Sequence, residues 1–135
     1  MIRRAIFLLF VAVPLFAQQD DPIGRYLAPP DVIMAHSQEL ALQEKQRAAI
    51  KAEVQKAQSK FIDAQWDMKE ESEKMVRLLQ QAPADEARIL EQADKVMALE
   101  REIKKTQLAL LIRIKNVLTA EQLAKLDAIR RVNTR

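Results

Sequence analysis

At 135 residues the chain has room for one small domain, and its 22 basic and 19 acidic side chains leave a net charge of only +3. With no Cys, one His and one Gly, it lacks a cysteine nucleophile, a Gly-rich phosphate loop and any evident Ser/His/Asp arrangement, so an enzyme is not expected. The near-balanced charge argues against a dedicated nucleic-acid binder.

Met1 to Phe16 reads as a targeting segment. Arg3 and Arg4 precede an apolar run from Ala5 to Phe16. That run is shorter than the roughly 20 residues a membrane-crossing helix needs. It fits a signal peptide over 1–17, cut after Ala17, with an uncleaved anchor as the alternative. Without Arg3 and Arg4 the remaining chain carries 20 basic and 19 acidic residues. Residues 18–29 are polar, contain Pro22, Gly24 and Pro29, and are expected to form a flexible arm, with Tyr26 and Leu27 able to dock it locally.

A single helical domain is expected over 30–132. Beyond Pro30 the only proline is Pro83, no glycine occurs, and the composition favours long helices. A short helix is predicted from Pro30 to about Glu39. A second runs from Gln43 to Gln81, about 58 Å at 1.5 Å per residue. Ile50, Val54, Ala57, Phe61, Ala64, Met68, Glu71, Met75 and Leu78 alternate at four and three residues along it, the spacing of heptad packing against another helix. Ala82, Pro83 and Ala84 make a turn. The third helix is predicted from Asp85 to Val117, with a seam of Ile89, Ala93, Val96, Glu100, Ile103, Gln107, Leu110, Ile114 and Val117. So short a turn makes the two long helices antiparallel neighbours.

Thr119-Ala120-Glu121-Gln122 spells a capping box, and Leu118 and Leu123 flank it as a hydrophobic staple. A sharp corner is therefore expected at Thr119, followed by a fourth helix from Ala120 to about Arg131. Leu42-Gln43-Glu44-Lys45-Gln46 is a related pattern before the second helix. Gln is a poor cap, so that corner should be softer, or the first helix should run on into the second.

The hairpin segregates charge. Residues 43–60 carry five basic and two acidic side chains, residues 61–100 five and ten, and residues 101–135 nine and three. A basic open end and an acidic tip follow. Ile62, Trp66, Leu108, Leu111 and Ile112 fall off the seams and need a second partner, for which a homodimer is the economical answer. With Lys104, Lys105 and Arg113 they make a mixed basic and apolar candidate surface for a client or a second copy. Met68, Met75 and Met97 read as core fillers. His36 and Glu39 are the only metal candidates, and a packing or surface histidine is the favoured reading, so neither a metal site nor any other cofactor is expected.

The motif Leu118-Thr119-x-x-Gln122 after a long helix, its partial copy with Leu42 and Gln46, and the signal peptide together resemble the periplasmic Spy/CpxP family, to which the metal-responsive ZraP and CnrX proteins are related. The resemblance spans roughly Asp31 to Arg131. It implies an all-α fold, a cradle-shaped antiparallel dimer of helical hairpins with short flanking helices. It also implies a periplasmic, ATP-independent chaperone that holds unfolded envelope proteins in the stress response, with a membrane sensor protein as a further partner. The alternative it implies is a heavy-metal sensor or resistance protein.

Overall fold

The computed structural model describes residues 23–134; the expected signal peptide and residues 18–22 of the arm lie outside them. The described chain forms four helices: α1 (Pro30–Ala35), α2 (Glu44–Leu79), α3 (Glu86–Val117) and α4 (Ala120–Asn133). No strand occurs among the described residues. None of their helices is long and apolar enough to cross a membrane. The architecture is a long α2–α3 hairpin with α1 and α4 packed at its open end.

Each helix begins for a local reason. Pro30 opens α1, where its missing N–H costs nothing. Asp85 caps α3, its carboxylate accepting from the Arg88 N–H at 3.2 Å. Thr119 caps α4, its Oγ1 accepting from the Gln122 N–H at 3.2 Å while Gln122 Oε1 accepts from the Thr119 N–H at 2.9 Å. The capping box and the sharp corner at Thr119 are as the sequence implies.

The upstream corner is sharper than expected. α1 stops at Ala35 rather than reaching Glu39, and residues 36–41 form a turn. The Leu40 N–H donates to the His36 carbonyl at 2.9 Å and the Leu42 N–H to the Ser37 carbonyl at 3.0 Å. Ala41 sits in the left-handed region at φ 51°, which costs a non-glycine residue roughly 1–2 kcal/mol. The turn explains that cost. Leu40 and Leu42 are both buried, yet on a continuous helix two residues spaced i, i+2 point away from one another. Reversing the chain at Ala41 sends both into the core.

That core sits at the open end of the hairpin. Ile33 of α1, Leu40 and Leu42 of the turn, Ile50 of α2, Ile114 and Leu118 at the end of α3, and Leu126 of α4 form one buried cluster. Each fully buried aliphatic side chain contributes about 1.5–3 kcal/mol relative to exposure. Toward the tip, only two helices face each other, and the buried set shrinks to Ala57 and Gln92.

The α2 seam is as predicted, every position from Ile50 to Leu78 being buried or half-buried. The α3 seam differs at two places. Glu100 is exposed and Leu99 takes the inner position, while Gln92 turns in beside Ala93. The contacts explain the shift: Gln92 Nε2 donates to the Glu71 carbonyl at 2.9 Å and to its Oε2 at 2.5 Å. A buried amide with both donations met is tolerated, whereas a buried unpaired Glu100 carboxylate would be costly.

Candidate binding surface

The two Leu-x-x-x-Gln segments meet. Leu42 and Leu118 are both buried in the core cluster, and Gln46 and Gln122, 76 residues apart, bond through their amides. Gln46 Nε2 donates to Gln122 Oε1 at 2.7 Å and Gln122 Nε2 donates to Gln46 Oε1 at 3.0 Å. Gln46 Nε2 also donates to the Val117 carbonyl, and Gln122 Nε2 to the Leu40 carbonyl. Gln46 Oε1 accepts from the Gln43 N–H at 3.0 Å, so the upstream helix start is served from Gln46 although Gln43 is a poor cap. Arg47 adds a bond from Nη2 to the Leu42 carbonyl at 3.1 Å. These bonds lock the open end and fix how α2 and α3 present their outer faces.

Along α3 those outer faces carry an exposed stripe. Leu90 and Met97 lie one heptad apart, and Arg101, Lys104, Leu108 and Ile112 follow Met97 on the same face at steps of four, three, four and four, with half-buried Leu111 at its edge. Met97 is half exposed, which corrects its reading as a core filler: position 97 follows the inner residue Val96 and points out. Met68 and Met75 are half-buried on the α2 seam. On α2, Ile62 and Trp66 are exposed, Trp66 at 67 %, and Lys69 Nζ stands 5.8 Å from the indole ring centre.

The candidate residues do not form one patch. Glu53 meets Arg113 and Glu71 meets Gln92 across the hairpin, which sets the level of each residue along it. By that register Ile62 and Trp66 lie roughly 10–20 Å nearer the tip than Leu108 and Ile112. Lys104 belongs to the outer stripe of α3. Lys105 and Arg113 instead line a shallow groove between the helices with Lys56, Lys60, Glu53 and Glu102. The surface therefore consists of two apolar patches with cations beside each, and a separate basic groove. Lys56 and Lys60 were not among the residues singled out from sequence; their i, i+4 spacing opposite Lys105 was the available signal.

Nearer the tip the charge changes sign. Lys74 Nζ bridges Glu70 and Glu71 at 2.9 and 2.8 Å. The Lys74 ammonium, then the Gln92 amide, hold the Glu71 carboxyl below its ordinary value. The Glu71 carboxylate, then that of Glu70, push the Lys74 ammonium up.

His36 and Glu39 do come together, His36 Nδ1 lying 2.9 Å from Glu39 Oε1. They are bonded to one another, and among the described residues no group of three or more His, Cys, Asp or Glu is placed to hold a metal ion. One imidazole and one carboxylate fall short of the four-donor shell that a zinc-like ion takes.

Of the arm, residues 23–29 are described. Leu27 and Ala28 are buried and Tyr26 is exposed. Arg130 of α4 holds this segment, donating from Nη1 to the Leu27 carbonyl at 3.2 Å and from Nη2 to the Gly24 carbonyl at 3.0 Å. The docked portion thus rests on Leu27, one of the two residues expected to anchor it, and on an arginine that sequence reasoning did not connect to it.

No curated protein and no solved structure matches the chain. The pattern of the heavy-metal resistance family matches residues 5–125, nearly the whole chain, and the chain belongs to that family.

Proposed function

We propose that this protein is an exported, periplasmic, ATP-independent holdase of the Spy/CpxP kind, which captures unfolded envelope proteins and acts as a homodimer. The observation that carries the reading is the pairing of exposed apolar side chains with cations at two places on the hairpin: Leu108 and Ile112 with Lys104, and Trp66 with Lys69. Large apolar side chains left exposed in a row mark interaction surfaces. Cations beside them draw in acidic unfolded segments, and aliphatic and aromatic contacts then hold them loosely. Patches separated along one rod allow a flexible chain to engage several at once, which raises avidity without a deep pocket. Nothing in this scheme requires a nucleotide or a catalytic residue.

Aggregation of an unfolding test protein, followed by light scattering without ATP and with metal chelated, tests the proposal. Suppression that weakens as salt rises supports it. No suppression at any ratio rejects it.

The family description favours a second reading, a heavy-metal sensor or resistance protein. A dimer that brought two His36–Glu39 pairs together would be needed to complete a ligand set. Calorimetric titration with zinc, copper, nickel and cobalt decides: a site tighter than about micromolar, lost in His36→Ala, would favour this reading.

A further inference from the structure

A cavity of about 300 Å³ lies between the docked arm, the end of α3 and α4. Its floor is already covered: Ile33, Leu118 and Leu126 are buried and pack into the core cluster, so it offers a ligand no bare apolar surface. What stays unmatched is charge. Arg25 of the arm, Lys115 of α3, and Arg130 and Arg131 of α4 line the cavity against a single carboxylate, Asp127. That surplus of three positive charges equals the net charge of the whole chain, so the excess is local and the remaining residues balance. Asp127 is paired with Arg131 at 2.9 Å. Arg130 donates to the Leu27 and Gly24 carbonyls, which leave its charge uncompensated. Lys115 is half-buried with the Tyr26 ring at 5.9 Å, and neither it nor Arg25 forms an ion pair among the described residues.

We propose that this cavity is an anion site for a soluble diphosphate group, held between Arg25, Lys115 and Arg131. The charge complement selects the ligand. One phosphate carries about −1.5 to −2, short of the surplus, and two joined phosphates carry roughly −3. The cations come from three different elements, so the ligand must present acceptors in several directions around a compact centre. Phosphate oxygens do so, and the planar fork of an arginine bonds two of them at once. A tricarboxylate of equal charge spreads it over a carbon skeleton, for which the covered floor has no use. The site also has a mechanical consequence. Arg25 belongs to the arm, and Lys115 and Arg131 to the helices behind it, so an anion between them ties the arm down. A ligand that binds only the docked arm stabilises that state by mass action. None of these residues belongs to the outer stripe of the hairpin, and the site stands apart from the holding surface.

The experiment is calorimetric titration of the protein with inorganic diphosphate at low salt and without divalent cations, with inorganic phosphate and citrate as comparisons. Saturable one-to-one binding of diphosphate is expected, with phosphate and citrate each at least about tenfold weaker. Arg25→Gln/Lys115→Gln should lose about tenfold or more in diphosphate affinity. Lys56→Gln/Lys60→Gln removes the same charge from the groove between α2 and α3 and should leave the affinity within about twofold. Saturating diphosphate should slow trypsin cleavage after Arg25 in the parent protein and not in Lys115→Gln, which reads the tying-down of the arm. Vesicles of phosphatidylglycerol present phosphate on a lipid instead, and adding them should leave diphosphate binding unchanged. Citrate binding as tightly as diphosphate, equal losses in the two double variants, displacement of diphosphate by the vesicles, or no saturable binding at all would each overturn the proposal.

Discussion

Gln46 and Gln122 satisfy each other completely. Each side-chain oxygen accepts from the partner amide and from the N–H at the start of its own helix, and each side-chain nitrogen donates to the partner amide and to a backbone carbonyl across the corner. All four hydrogen-bonding positions of both amides are used, which is the full capacity of a glutamine. The relationship is close to two-fold, and it makes the glutamine at the end of each motif specific. A glutamate lacks the donors, and an asparagine is one methylene too short to bond to both its own helix start and the partner.

Replacing either glutamine by Ala strands the other amide and a carbonyl, at about 1–3 kcal/mol. Because the two act as one unit, the double variant Gln46→Ala/Gln122→Ala should cost less than the summed singles by about 1 kcal/mol. Denaturant unfolding of the three variants measures this. Strict additivity would show that the two amides are not coupled.

The two corners should respond in opposite directions to changes at the cap. Thr119→Ala removes the acceptor for the Gln122 N–H and should destabilise by about 1 kcal/mol. Gln43 has the extended backbone of a cap, φ −74° and ψ 155°, with a side chain poorly suited to it. Gln43→Thr should therefore raise the thermal midpoint, and a fall would place the upstream helix start elsewhere.

Acidification should loosen the acidic part of the hairpin. The Glu71 carboxyl lies below its ordinary value of 4.5 because it is bonded by Lys74 and Gln92. A depressed folded-state value means that the stabilisation is complete above 4.5 and is lost as the pH falls through the depressed value. The protection factors of α2 amides near Glu71, taken relative to the intrinsic exchange rate at each pH, should fall over that range, and Glu71→Gln should flatten the dependence. An unchanged profile in Glu71→Gln would assign the acid sensitivity to other carboxylates.

Arg130→Gln should free the arm while leaving the hairpin intact, since its two bonds go to the Leu27 and Gly24 carbonyls alone. Limited trypsin digestion reads this out as faster cleavage after Arg25, at unchanged helical content by circular dichroism. Equal protection in the variant would mean that Leu27 and Ala28 hold the segment without the arginine.

Much of this fold is legible in the sequence because it is built from local rules. The heptad spacing of α2, the breaker at Pro83 and the Thr119 capping box each announce themselves within a few residues. The parts that are not legible depend on partners distant in sequence. α1 stops at Ala35 because Leu40 and Leu42 must both reach a core made by Ile50, Ile114 and Leu126. Gln92 displaces a simple apolar seam because Glu71 lies opposite. The meeting of Gln46 with Gln122 and of Arg130 with the arm spans 76 residues and more than 100. The candidate surface was legible in its residue types, but its division into two patches and a separate groove required the register of α2 against α3.

The central claim is that the outer face of the hairpin holds unfolded chains through paired apolar and cationic side chains. Fluorescence anisotropy of a labelled, permanently unfolded acidic polypeptide tests it most directly, comparing the protein with Leu108→Asp/Ile112→Asp at low and high salt. The account predicts saturable binding that weakens with salt and is several-fold weaker in the variant, which keeps the Trp66–Lys69 patch and whose exposed positions leave the core untouched. Binding of equal strength to the variant, or none to the parent protein, would contradict it.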